Sequence, residues 1–291
     1  MGEIADAIRR ARGLQPKSPD SVGGLLIPSL RTAAAAPSSL APVRAPAVAP
    51  DHCVETVYPE NPAIVLENGP NAEVCRHLAL RLRTELDERG ARSVAIVSAE
   101  RGDGKTTVAC NLALALASLS RGREVALIDL DLRRPSVASY LALPAKRGVE
   151  KVLRGEAELD EVLLAVHHPA FDVVPAVNPQ SAAHELMVRS QVGELIAELE
   201  RRYAIVIIDT PPAPLVPDAN LVLRHAATCA PVVRTGKTRA RFFRRLVDCL
   251  PRDQVIGWIV NGDRSSRFRD DDYYYGGEPG VPHVRRGGEA A

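Results

Sequence analysis

Residues 98–107 read Ser-Ala-Glu-Arg-Gly-Asp-Gly-Lys-Thr-Thr. Gly102 and Gly104 allow a tight turn in which successive backbone N–H groups point at one anion, an arrangement suited to phosphate. Lys105 follows directly and can reach β- and γ-phosphates, and the Thr106 hydroxyl is placed to bind Mg²⁺. Glu100, Arg101, Asp103 and Thr107 belong to the same loop and are counted with Gly102, Gly104, Lys105 and Thr106 as nucleotide contacts. The usual pattern opens on glycine, and here Ala99 stands in that place. The loop predicts a Mg-nucleotide site.

Two further segments carry carboxylates. Asp129-Leu130-Asp131-Leu132-Arg133-Arg134-Pro135 follows the apolar run 125–128, and Asp209-Thr210-Pro211-Pro212 follows 204–208. Carboxylates at the C-terminal end of a parallel strand lie where ligands of α/β proteins bind. Asp129 and Asp131 alternate along an extended segment and need not point the same way, so one could accept a proton while the other holds metal or a neighbouring loop. An Asp after a hydrophobic strand is a frequent second metal contact in phosphate-loop proteins. Each segment alone also reads as a solvated strand end, because Asp is common in turns.

These groups need elements to position them. The short run 94–98 is a buried strand feeding the glycine loop, and 106–119 is a helix packed by Val108, Leu112, Leu114 and Leu116. A helix over 72–88 carries apolar positions at Val74, Leu78, Leu82 and Leu86 and ends at Gly90. Strands are expected at 125–131, 171–175, 204–209, 229–234 and 255–261, with helices over 190–201 and 240–250. Apolar strands separated by helices predict a mostly parallel sheet with helices on both faces. The predicted organisation is a short N-terminal helix at 1–14, a disordered Ala/Pro-rich linker at 15–70, a nucleotide-binding domain at 71–262 and a flexible tail at 263–291.

Composition excludes some functions. The formal net charge is +1, which argues against nucleic acid as the main partner. There are 5 cysteines with no C-x-x-C spacing, so neither a disulfide framework nor a zinc site is expected, and a reducing cytoplasm fits. No stretch approaches the roughly 20 apolar residues that span a bilayer, and the acidic start Met1-Gly2-Glu3 does not read as a signal peptide.

Residues 98–107, 128–135 and 208–212 together resemble the Walker A, Walker A′ and Walker B motifs of bacterial tyrosine kinases, the cytosolic autokinases of capsule and exopolysaccharide synthesis. The segments 148–156, 232–238, 255–257 and 1–11 are similar to family stretches as well. The resemblance implies a P-loop NTPase of the ParA/MinD-like superfamily, with ATP and Mg²⁺ as cofactors. It implies that Gly102, Gly104 and Lys105 hold phosphates and that Thr106 and Asp209 hold Mg²⁺. Asp129 would act as base toward a tyrosine hydroxyl, with Asp131 supporting metal or geometry. The triplet Tyr273-Tyr274-Tyr275, after Asp270-Asp271-Asp272, resembles the family's C-terminal tyrosine cluster, phosphorylated in trans by neighbouring subunits. Partners implied are a membrane polysaccharide co-polymerase as activator, further copies of the chain with a ring as one form, and a cognate tyrosine phosphatase. A membrane partner would recruit the protein peripherally to the inner membrane. Glu73 and Arg76 fit the first two positions of the family's E-x-x-R-x-x-R subunit contact, and Ala79 occupies the third.

Two other functions compete. A ParA/MinD-like ATPase switch usually carries a lysine early in the loop, where this chain has Glu100. A non-catalytic nucleotide-binding scaffold is disfavoured by the presence of Lys105, Thr106, Asp129 and Asp209 together. The arginines 239, 241, 244 and 245 read as a solvated helix face, with a polyanion patch as the other reading.

Overall fold

The computed structural model describes residues 53–56, 70–189 and 192–262. In chain order the elements are β1 (Cys53–Thr56), α1 (Pro70–Arg89), β2 (Ser93–Ser98), α2 (Lys105–Leu119) and β3 (Val125–Asp129). Next come α3 (Val137–Tyr140), α4 (Val149–Leu153), α5 (Leu159–Val162), β4 (Leu164–His168) and β5 (Phe171–Val174). The remainder is α6 (Ala183–Arg189), α7 (Val192–Arg202), β6 (Ile205–Asp209), α8 (Asp218–Leu223), β7 (Thr228–Arg234), α9 (Ala240–Cys249) and β8 (Ile259–Asn261).

The strands form one 8-stranded sheet in the order β1-β4-β5-β3-β6-β2-β7-β8. Neighbours pair in parallel except β4 and β5, so the β1–β4 pair runs against the rest at one edge. Every residue of β2, β3 and β6 is buried. Alternation along β2 explains why an unbroken apolar run was needed. Val94 and Ile96 join the core under α1 and α2, while Ala95 and Val97 join the core on the opposite face with α7, α8 and α9. Burying a leucine fully, as at Leu86, Leu112 and Leu116, is worth roughly 1.5–3 kcal/mol. The fold is thus the mostly parallel α/β sheet, covered on both faces, that the residues predict.

Several expectations change in detail. In α1 the buried face is Ala72, Ala79, Leu82 and Leu86, and Val74, expected to pack, is 47% exposed. The 72–79–82–86 stripe has helical spacing, and Val74 lies off it. Strand β3 stops at Asp129 rather than 131: the Leu130 N–H makes the last ladder bond, to the Asp209 carbonyl at 2.9 Å, and the Asp131 N–H then turns back to the Asp129 carboxylate at 3.0 Å. Only 259–261 of the expected strand 255–261 is a strand, with Val255 making an isolated bridge to Cys229. Strands β1 and β4 and the short helices α3–α6 and α8 were not foreseen. Each is 4–7 residues long, too short for a periodic pattern to show. β1 falls in the stretch read as linker.

Candidate active site

Strand order sets the site. β6 lies between β2 and β3, and the register pairs Ile96 with Asp209 and Asp129 with Asp209. The two carboxylates, 80 positions apart in sequence, therefore emerge side by side next to the loop that leaves β2.

That loop has the backbone its glycines predicted. Gly102 and Gly104 sit at φ 77° and 95°, a region that costs other residues about 1–2 kcal/mol. Space forbids side chains too, since a Cβ on Gly104 would lie 2.0 Å from Asn261 Nδ2. Lys105 opens α2, so the loop amides and the positive helix end face the same place. The Lys105 Nζ is 3.0 Å from Asp131 Oδ2 and 4.0 Å from Asp209 Oδ1. Thr106 donates its hydroxyl to Asp209 Oδ2 at 2.7 Å. Ser136 Oγ is 3.4 Å from the same hydroxyl. Five predicted residues, Lys105, Thr106, Asp129, Asp131 and Asp209, are thus brought together.

The two aspartates of the β3 segment divide their work. Asp129 turns inward: Oδ1 accepts the Asp131 N–H at 3.0 Å, and Oδ2 accepts the N–H groups of Ser136 and Val137 at 2.9 and 3.0 Å. It shapes the 129–137 turn while staying fully buried. Asp131 turns the other way and meets Lys105. Burial first, then the Asp209 charge, pushes the Asp129 carboxyl up to about 8 against these hydrogen bonds. Burial also raises Asp209, opposed by Lys105. Burial works against the Lys105 charge, but Asp209, Asp131 and Asp129 outweigh it and hold the ammonium above the usual lysine range.

Asp209 Oδ1 is buried with no hydrogen-bond donor. A buried lone pair without a donor is costly, and one on a carboxylate whose other oxygen takes the Thr106 hydroxyl suits a divalent cation held by both residues.

Other loop residues act differently from their expected role. The Asp103 carboxylate is fully buried and accepts the Glu100 N–H at 2.8 Å and the Thr238 hydroxyl at 2.9 Å, so its side chain braces the loop. The Glu100 carboxylate is bound to Arg239 Nε at 2.6 Å. Arg101 is exposed. Glu73 and Arg76 pair with each other at 2.5 Å on α1, away from these residues. Tyr273, Tyr274 and Tyr275 lie outside the described residues. So do the 1–14 helix and most of the 15–70 linker.

Sequence reasoning missed a second ring of contacts. Asn261 Nδ2 donates to the Asp103 carbonyl at 2.9 Å, and Arg234 Nη1 and Lys237 Nζ reach the Gly102 carbonyl at 3.1 and 3.2 Å. Arg234 ends β7, Asn261 ends β8, and Lys237 lies in the turn after β7. Their signal was available, because polar residues at the C-terminal ends of parallel strands face the same crevice. Arg133 leaves the site altogether and donates to buried Asp218 at 2.6 Å, which also meets His184 at 3.0 Å.

The chain was compared with known proteins. An AAA domain family matches residues 91–229. The tyrosine-protein kinase YwqD of Bacillus subtilis is 32% identical over 210 residues, covering 70% of this chain and 86% of that protein. The tyrosine-protein kinase wzc of Salmonella typhimurium is 31% identical over 175 residues, covering 59% of this chain but only 24% of the relative. The kinase domain of the Escherichia coli tyrosine kinase ETK superposes with a TM-score of 0.63 at 26% identity, covering 74% of this chain and 90% of that structure. With the glycine loop and both aspartate segments in register at adjoining strand ends, this chain belongs to the bacterial tyrosine-protein kinases of the P-loop class.

Proposed function

We propose that the protein is an ATP-dependent tyrosine autokinase that moves the γ-phosphoryl of ATP to Tyr273, Tyr274 and Tyr275 of a neighbouring copy, and that it thereby regulates capsular or exopolysaccharide synthesis and export. The observation that carries this reading is the convergence of Lys105, Thr106, Asp129, Asp131 and Asp209 at three adjoining strand ends.

The loop amides and Lys105 hold and neutralise the phosphates. Thr106 and Asp209 would hold Mg²⁺, which supplies charge neutralisation across the β- and γ-phosphates. Asp131 keeps the Lys105 ammonium turned into the site. Asp129 is the proposed base toward the tyrosine hydroxyl: burial and the Asp209 charge raise its carboxyl, and a cation at Asp209 would answer that charge and leave Asp129 able to take a proton. In the transfer, the tyrosine oxygen bonds to phosphorus, the bond to the ADP oxygen breaks, and Asp129 takes the phenolic proton. Most of the acceleration comes from positioning and charge, since phosphoryl transfer passes through a loose transition state. Tyr203 is no competing acceptor, because its hydroxyl is buried and donates to Asp172 at 2.6 Å.

A membrane co-polymerase is the proposed activator, recruiting the kinase to the inner membrane, and a tyrosine phosphatase would reset it. Glu73 and Arg76 are the proposed contact between copies. The test is phosphotyrosine mapping by mass spectrometry after incubation with Mg-ATP, with and without a candidate co-polymerase. Lys105→Met should lower phosphotyrosine at least 100-fold, and Phe at 273, 274 and 275 should remove most of it. Full labelling of the Lys105→Met protein would refute the site. Unchanged labelling of the triple Phe variant would move the acceptor elsewhere, Tyr58 and Tyr140 first.

A further inference from the structure

Helix α9 breaks a local rule. Its cap and first two turns carry Arg239, Arg241, Arg244 and Arg245, and no acidic residue stands in the first turn. Cations at that end oppose the helix dipole and repel one another. The guanidiniums of Arg239, Arg241 and Arg245 gather round the Phe242 ring, 4.6, 4.8 and 5.7 Å from its centroid. Cation–π contact with half-buried Phe242 fixes them as one patch instead of letting them spread into water. Nearby carboxylates leave the charge unanswered. Glu100 is committed to Arg239, and Asp248 is exposed further along the helix. Among the described residues Arg241, Arg244 and Arg245 form no ion pair with either, and all three are exposed. Planar forks held side by side suit carboxylates and phosphates.

The chain supplies a matching anion. Asp270, Asp271 and Asp272 precede the three tyrosines. A Cβ added to Gly262, the last described residue, would lie 3.3 Å from Arg234 Cγ, and the Asn261 carbonyl accepts the Thr235 N–H at 3.0 Å. The chain therefore leaves β8 beside the loop that leads into α9. Asp270 lies 8 positions after Gly262, a reach of up to roughly 28 Å. The 10 residues of α9 span about 15 Å. The segment can therefore lie along its own arginine face.

We propose that the arginine face of α9 is a docking site for the acidic tyrosine segment 270–275 of the same chain. Docking strengthens once those tyrosines carry phosphate, each adding a charge of about −1.5 to −2. This strengthening, and the role as product site that follows from it, rest on the autokinase reading; docking of the acidic segment does not. The docked segment is withdrawn from neighbouring copies, so the patch acts as a product-binding site that ends exchange between subunits.

The test uses the full chain with its own segment neutralised (Asp270, Asp271 and Asp272 to Asn, and Tyr273, Tyr274 and Tyr275 to Phe). Fluorescein-labelled synthetic peptides of residues 270–277, with and without three phosphates, are titrated into it and read by anisotropy. Their phosphates are built chemically, so the outcome does not depend on kinase activity. The triphosphorylated peptide should bind at least tenfold more tightly than the plain one. Ala at 241, 244 and 245 should weaken it at least tenfold, and Lys at those positions should weaken it less. The chain with its native segment should bind the peptide more weakly than the neutralised chain, because its own segment competes. Equal binding with and without the arginines would overturn the proposal. Unaltered binding to the native chain would overturn the same-chain assignment. Two other occupants would show themselves and also overturn it: a second copy, through a native mass that falls in the Ala variant, or an anionic membrane, through arginine-dependent sedimentation with phosphatidylserine vesicles while peptide binding stays unchanged.

Discussion

Asp129 illustrates how much a single carboxyl can be asked to do. It accepts three backbone N–H bonds and forms the turn that carries Asp131 and Ser136, while lying beside Asp209 in a buried register pair. Its pKa rises from 3.8 to about 8. The sign of the linkage follows. The native state keeps a proton that the unfolded chain gives up near pH 4, so this group's contribution is present at low pH and is lost as pH rises through 8. In chelator-treated protein free of nucleotide, the melting temperature should fall between pH 5 and pH 8.5. Asp129→Asn should show a shallower slope over that window by calorimetry, whatever its midpoint. An identical slope would mean that Asp129 is ionised throughout.

At the scale of the element, the glycine loop is held from outside as much as from within. Asp103 is pinned by Thr238, its carbonyl by Asn261, and the Gly102 carbonyl by Arg234 and Lys237. β7, β8 and the turn into α9 thus clamp a loop that belongs to β2 and α2. Gly104→Ala tests this clamp. Its φ of 95° disfavours any Cβ, and the methyl would displace the Asn261 amide. The strain of roughly 1–2 kcal/mol is small beside the stability of a domain. The variant should therefore stay folded by circular dichroism while its ATP affinity, measured by calorimetry, falls at least tenfold. Wild-type affinity would mean that the loop tolerates a different backbone.

Across the whole molecule, chemistry and cohesion occupy opposite ends of the strands. Asp129 and Asp209 sit at C-terminal strand ends, and Lys105 opens the helix that follows β2. The other end is tied by buried polar groups. Asp172 meets Arg123 at 2.5 Å and the Tyr203 hydroxyl at 2.6 Å, while Ser93 accepts the Ala227 N–H at 2.8 Å. Burial raises Asp172, and Tyr203 and Arg123 oppose that rise. Removing the phenolic donor leaves a buried carboxylate oxygen short of a partner. Tyr203→Phe should cost about 1.5–3 kcal/mol in urea unfolding and leave phosphotyrosine per folded molecule unchanged. A loss of labelling without a loss of stability would show that the two ends are coupled.

Much of this was legible in the chain itself. A backbone that must turn tightly over phosphate requires Gly102 and Gly104, and an apolar run buried on both faces requires residues such as 94–97 and 205–208. The loop, the aspartate-ended strands and the main helices could therefore be read from local composition and spacing, and the family from what the three motifs resemble. Other facts depend on which strands become neighbours, a long-range choice that short windows do not encode. The β5-β3-β6-β2-β7-β8 order brought Asp129 beside Asp209, turned Asp131 toward Lys105 and drew Asn261 and Thr238 onto the loop. It also set Glu100 against Arg239, a pairing across 139 positions that no local pattern announces. Residue type supplied the chemical groups, and packing of distant strands decided which of them could meet.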